Sequence, residues 1–203
     1  MENATKKNSV TIKQIVDTAI LIALAIVLKF ISDLIPFLNY FEGGTIDLAM
    51  LPILLIGFRN GPKYGFIGAT LYWLLAWAIG GFKIYSQMVF LEILLDRFVP
   101  YSIGYGIAGL FYKKRDNRLS ISLVIVLCAL IRLLSHTISG VIIWYTWTGY
   151  GEFMTSLWAS FIYNVSYVGL TCALALILFN SLKTVLYYKA PLSIQKKDIQ
   201  LEY

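Results

Sequence analysis

Apolar residues run in long blocks separated by short polar breaks, and the blocks fall near residues 14–35, 46–60, 61–79, 86–111, 119–145 and 154–183. A helix needs roughly 20 residues to cross a hydrocarbon core of about 30 Å, so the blocks predict six membrane helices, the second and third short for the task. Inside the fifth block the pattern changes: Arg132, His136, Gly140 and Trp144 follow one another at four-residue steps. On a helix each such step turns about 400°, so the four positions share one slowly drifting face. A cation, the chain's one histidine, a gap and an indole therefore look the same way. Ionisable groups at membrane depth are costly and line pathways or binding cavities, so this stripe predicts a functional wall.

Composition agrees with the blocks. The 203 residues are 59% hydrophobic and only 14% charged, against roughly 25% charged in ordinary soluble domains. The fold class predicted is an all-α integral membrane protein, a six-transmembrane-helix bundle over residues 14–186. A segment at 1–13 precedes it and a polar tail at 187–203 follows; from Ala190 to Tyr203 its composition and terminal place favour disorder. The first apolar run follows Lys13 with no small-residue cleavage pattern, so it reads as a retained helix. Lys6, Lys7, Lys13, Arg59, Lys63, Lys113, Lys114, Arg115, Arg118, Lys183, Lys189, Lys196 and Lys197 fall on one side, with Lys83 on the other. Cytoplasmic loops carry the basic excess, which places both termini in the cytoplasm. The net charge of +6 is thus a topology signal, and nucleic acid is not an expected partner.

Several chemistries find no footing. Cys128 and Cys172 have neither metal-ligand spacing nor a CxxC pairing, so no metal site is expected and both read as packing residues. Walker A, GxSxG and HExxH patterns are absent, which leaves no means of hydrolysing ATP or an ester, and no catalytic residue or cofactor is assigned. Asn164-Val-Ser166 fits a glycosylation pattern but lies inside a predicted helix. The competing reading from another class is a small intramembrane enzyme using His136 with Asp96 or Glu92 as acid and base, without a nucleophile to accompany them.

The other charges divide by depth. Asp17, Lys29, Asp33 and Asp47 lie near predicted helix ends, where side chains reach interfacial water. Glu92 and Asp96 sit one turn apart in the fourth helix and share a face. They fit either a cationic or amino-bearing ligand or an ion pair with Arg97 or Arg132. Tyr72, Trp73 and Trp77 end the third helix, and Trp144, Tyr145, Trp147 and Tyr150 end the fifth. An interfacial aromatic belt accounts for most of them. Rings, carboxylates, a histidine and an asparagine at one end also suit a small, flat polar heterocycle, with about 0.5–2 kcal/mol from each cation–π contact. Ala19 and Ala23 form a small-xxx-small patch on the first helix that lets another helix approach.

Together these residues resemble the substrate-binding S-components of energy-coupling factor (ECF) vitamin transporters, and most closely the thiamine-specific ones. The resemblance runs from Ile15 to Leu178. It is carried by Asp17-x-Ala19-x3-Ala23-x-Ala25, Gly44-x-Ile46-Asp47-Leu48-Ala49-Met50-Leu51-Pro52-Ile53, Phe58-Arg59-x-Gly61 and Gly106-Ile107-Ala108-Gly109-Leu110-Phe111. The specific part is His136-x3-Gly140-x3-Trp144 followed by Ser160-x2-Tyr163-Asn164. The resemblance implies a bundle in the bacterial plasma membrane that captures thiamine or a close pyrimidine relative from outside. It further implies docking through Ala19 and Ala23 onto a transmembrane T-component, with two cytosolic ATPases driving release inward.

Carried over by position, Trp144 stacks on the aminopyrimidine, and His136 and Asn164 hydrogen-bond the ligand. Arg132 falls where the family has a basic residue, and Gly140 where close approach is needed. Tyr163 and Tyr72 join the implied binding set, Tyr72 aligning with a third-helix tryptophan. The acidic pyrimidine partner is Asp96 or Glu92, with Asp96 the first choice from its Leu94-Leu95 context. Departures are Ala159 where the family has a tyrosine, with Trp158 adjacent, and Arg97 after Asp96 or Ile93 after Glu92 where a tyrosine is usual. S-components for hydroxymethylpyrimidine, folate or riboflavin share this fold and are the nearest alternatives.

Overall fold

A computed structural model of the chain describes residues 2–38, 44–82, 84, 86, 88–147 and 152–181; side chains are described from residue 12 onward, except those of 144–147. Among the described residues the regular elements are helical. Six helices carry the fold: α1 (Glu2–Leu34), α2 (Met50–Asn60), α3 (Pro62–Ala78), a composite α4 over 90–114, α5 (Arg118–Trp147) and α6 (Phe153–Ser181). Ile12–Leu34, Arg118–Ile143 and Phe153–Ser181 are each long and apolar enough to span a membrane. The segments expected at 1–13 and 187–203 fall partly or wholly outside the described residues. Where described, α1 already runs from Glu2, because no proline or glycine interrupts the chain before Pro36.

The second helix begins later than its apolar block, at Met50. Residues 44–49 are not helical, and all but the half-buried Leu48 are buried. Asp47 turns the chain into the helix by accepting the Ala49 amide at 3.0 Å, and Pro52 sits in the first turn, where its missing N–H costs nothing. Gly61, at φ 85°, then ends α2 and hands over to Pro62 at the start of α3. That left-handed conformation is open to glycine with no Cβ penalty.

Glycines also set how closely α2, α3 and α4 approach. A Cβ on Gly57 would lie 2.6 Å from the Gly109 nitrogen, and one on Gly109 would lie 2.7 Å from the Pro62 Cα. Both obstacles are backbone, so no side chain can swing aside. Gly57→Ala is therefore expected to lower stability by about 1–3 kcal/mol, the range for overpacked cores. Thermal unfolding of purified protein in detergent checks this, and an unchanged midpoint would refute the backbone contact. The Arg115 guanidinium caps the same end of the bundle, donating to the Phe58 and Arg59 carbonyls at 3.0 Å each. The α5 and α6 helices form the most extensive pair, in contact from Ser122 with Asn180 to Gly140 with Ser160.

The fourth helix is unusual. It begins as α-helix over Phe90–Ile93, widens to π-helix over Leu94–Ile103, returns to α over Gly104–Gly106 and tightens to 3-10 over Ile107–Lys114. Glu92 explains its start, reaching back to accept the Val89 amide at 2.9 Å. The start therefore lies at Phe90, later than the 86 read from hydropathy. Pro100 lies inside the π stretch, and the Ser135 hydroxyl donates to the Leu95 carbonyl there.

Candidate functional site

The polar groups converge where the π stretch of α4 meets α5 and α6. In a π-helix the bonded residues are five apart, so Asp96 and Tyr101 come to one face; in an α-helix they would diverge by about 140°. Both meet His136. Its Nδ1 lies 2.8 Å from Asp96 Oδ1, and the ring sits edge-on to Tyr101 at a 5.8 Å centroid distance. Ser139 donates to the same carboxylate oxygen at 2.8 Å, and Arg97 pairs with Oδ2 at 3.0 Å. Glu92 is not part of this cluster. It is buried at the helix start, on the Val89 amide.

The tautomer of His136 follows from that network. A carboxylate only accepts, so the neutral ring carries its proton on Nδ1 and offers a lone pair at Nε2. Nε2 is buried and has no hydrogen-bond partner among the described residues. Buried polar atoms are ordinarily paired, so such an orphan makes Nε2 a candidate contact for a ligand atom. The hydroxyls of Thr137 and Ser156, both buried, are in the same condition.

Across from His136, α6 supplies Asn164. Its amide nitrogen donates to the Ser160 carbonyl at 2.8 Å and to the Ser160 hydroxyl at 3.2 Å. Its oxygen accepts from the Tyr167 hydroxyl, so α6 orients the amide internally. Gly140 is where α5 and α6 touch: a Cβ there would run into the Ser160 hydroxyl, which donates to the Thr137 carbonyl at 2.9 Å. Tyr163 accepts the Gly44 amide at 2.7 Å. Trp144 lies one turn beyond Gly140 on α5, and its side chain is outside the described residues. Trp158 faces outward, 58% exposed, so it does not replace the tyrosine missing at Ala159.

One turn deeper on α5, Arg132 is 1% exposed. Its guanidinium donates to the Tyr105 hydroxyl at 2.8 Å and the Thr45 carbonyl at 3.3 Å, and lies 3.6 Å from Asp47. The rings of Tyr101 and Tyr167 flank it at 5.2 and 5.6 Å. Asp47, expected at an interfacial helix end, is instead 3% exposed at the centre of the bundle. Lys29 likewise is buried, paired with Asp33 at 2.5 Å and facing the Phe82 ring. Tyr72 packs edge-on against Phe82, whose ring is tilted against Tyr101, and the buried Tyr72 hydroxyl has no partner among the described residues.

Residue reasoning missed Asp47, Tyr101, Tyr105 and Tyr167. The available signal was the four-residue spacing of Tyr101 with Tyr105 and of Tyr163 with Tyr167, placing phenols in mid-block and away from the interfacial belt. Ala19 and Ala23 occupy the exposed face of α1, among exposed Ile15, Ile20, Leu24 and Val27, while Ala25 turns into the core.

A helical bundle with apolar outer faces and a buried polar cluster near one end defines a membrane-embedded solute-binding protein. Comparison with known proteins makes this specific. The family described as Thiamine transporter protein (Thia_YuaJ) matches residues 15–190, and the chain belongs to that family. Thiamine transporter ThiT of Bacillus subtilis (strain 168) is 31% identical over 179 residues, spanning 81% of this chain and 88% of that protein. The solved structure of ThiT from Listeria monocytogenes superposes with a TM-score of 0.64 at 22% identity, covering 86% of this chain and 96% of that one, and confirms the fold. The chain is thus a multi-pass cell-membrane protein of a transporter family, and not an enzyme.

Proposed function

We propose that the chain is the substrate-binding S-component of an ECF transporter and captures thiamine from outside the cell. The observation that carries this reading is the buried, unpartnered Nε2 of His136, held in its acceptor tautomer by Asp96. An exocyclic amino group of an aminopyrimidine is the matching donor. Gly140 lets α5 close onto Ser160 and so sets where Asn164 stands, Trp144 stacks on the flat ring, and Asn164 with Tyr163 closes the α6 side. Asp96 is the acidic member of the set. Glu92 acts on the helix start, and Tyr72 borders the site through Phe82. The two termini lie in the cytoplasm. Ala19 and Ala23 meet the T-component, and two ATPases drive release inward.

Transport then needs no chemistry in this chain. Bound ligand is released because docking and ATP turnover favour a conformation with lower affinity, since a ligand that binds two states equally shifts neither. Titrating the purified protein with thiamine is expected to give saturable quenching of tryptophan fluorescence and calorimetric heat at micromolar ligand. In competition, thiamine is expected to outbind hydroxymethylpyrimidine, folate and riboflavin. The absence of both heat and quenching with thiamine, alongside clear binding of another vitamin, overturns the assignment.

A further inference from the structure

Residues 44–49 cross the middle of the bundle without helical hydrogen bonding, and their backbone is fastened to the surrounding helices. The Ile46 amide donates to the Leu38 carbonyl at 2.9 Å, the Asp47 amide to the Thr171 hydroxyl at 3.1 Å, and the Leu48 amide to the Ser32 hydroxyl at 3.2 Å. Irregular backbone at membrane depth persists only where protein groups satisfy it or where it lines a cavity. At its centre the Tyr105 hydroxyl donates to Asp47 at 2.7 Å while accepting from Arg132 at 2.8 Å. The phenol thus relays between carboxylate and guanidinium. The cation is enclosed by Tyr101 and Tyr167, and these same two rings flank His136 at 5.8 and 6.1 Å. Tyr167 also holds the Asn164 oxygen.

We infer that Asp47 is a positioning residue for the binding site: it fixes Arg132 through Tyr105, Arg132 fixes Tyr101 and Tyr167, and those rings set His136 and Asn164. Arg132 in this role holds the protein and not the ligand. The inference rests on the thiamine-binding reading for its affinity readout, though its geometric part does not. It makes a demand that ligand contact by Arg132 would not meet. Removing either charge alone leaves the other buried and unpaired, whereas removing both together leaves a neutral core. In Asp47→Asn the new amide and Arg132 both donate to Tyr105, leaving the cation without its counterion. In the double variant with Arg132→Met, that amide takes the place on Tyr105 that the guanidinium vacated.

The test is a cycle of Asp47→Asn, Arg132→Met and the double variant, with Tyr105→Phe as a milder fourth protein, each checked for folding by thermal unfolding. Thiamine affinity is read by calorimetry. His136, the chain's one histidine, supplies a second readout through its imidazole resonances in histidine-labelled protein without ligand. Each single charge variant is expected to bind thiamine at least tenfold more weakly and to shift the imidazole signals. Tyr105→Phe should bind several-fold more weakly, and the double variant should return to within threefold of wild type with wild-type imidazole signals. Two outcomes overturn the inference: Asp47→Asn leaves affinity and imidazole signals unchanged, or the folded double variant recovers its imidazole signals but stays as weak as Arg132→Met. If wild-type protein binds no thiamine, the ligand reading falls, and the imidazole cycle alone decides for or against the positioning role.

Discussion

Asp96→Ala is expected to weaken thiamine binding by roughly 30-fold to several-thousand-fold, the equivalent of about 2–5 kcal/mol for losing one partner of a buried, charge-assisted hydrogen bond. The size follows from how many groups the carboxylate organises. It orients His136 through Nδ1, accepts from Ser139 and neutralises Arg97. Without it the imidazole is free to carry its proton on Nε2, which turns the ligand-facing acceptor into a donor. Arg97 is left without its counterion. Asp96→Asn is expected to fall between wild type and Asp96→Ala, since an amide oxygen still accepts from Nδ1 while its nitrogen repels Arg97. Glu92→Gln supplies the contrast. That carboxylate serves the Val89 amide, so thiamine affinity should stay within threefold of wild type while the unfolding midpoint falls modestly. Calorimetry on the three variants would falsify the assignment by showing the reverse order, with Glu92→Gln losing affinity and Asp96→Ala keeping it.

The contrast between those two carboxylates shows where sequence reading stops. Their four-residue spacing correctly places them one turn apart in an ideal α-helix, and on that geometry they are equivalent candidates. The π stretch begins between them, at Leu94, so beyond it the α-helical face no longer applies. Asp96 is carried toward α5 together with Tyr101, five residues on. Pro100 announces an irregular helix but not which way it deforms, and the widened stretch also carries the tertiary contact of Ser135 with the Leu95 carbonyl. Likewise the six blocks of hydropathy locate the helices, since burial in lipid acts on whole turns. They cannot locate residues 44–49, whose irregular backbone is satisfied by distant partners on α1 and α6. Asp47 looked interfacial because the residues flanking it belong to a break between helices. It is buried because that break folds inward. The stripe on α5 was legible because a regular helix converts spacing directly into direction. Even so, spacing could not tell that His136 meets Asp96 and keeps Nε2 unpartnered among the described residues while Arg132, on the same face, meets the inward-folded segment and two tyrosines.

Gly140 is the position where a single methyl group should tell most about the α5/α6 wall. A Cβ there meets the Ser160 hydroxyl, with the Asn164 amide nitrogen next at 3.7 Å. The hydroxyl can rotate away, but doing so abandons the Thr137 carbonyl and removes one of the two acceptors that orient Asn164. Gly140→Val adds branched methyls that rotation of one hydroxyl cannot accommodate, so α6 must move outward. Overpacking of this kind costs about 1–3 kcal/mol. Expressed in affinity, that is roughly a 5- to 150-fold weaker thiamine complex at about 1.4 kcal/mol per decade. Gly169 on α6 serves as the control, since a Cβ there has nothing within 4 Å. Gly169→Ala should be neutral, or more stable by up to about 1 kcal/mol from helix propensity. Steric origin can be separated from loss of flexibility by pairing Gly140→Ala with Ser160→Ala, which vacates the space the new methyl needs. If the clash is the cause, the pair binds thiamine more tightly than Gly140→Ala alone. If the pair is weaker than either single variant, contact at Gly140 is not what shapes this wall, and the ligand must lie elsewhere along α5.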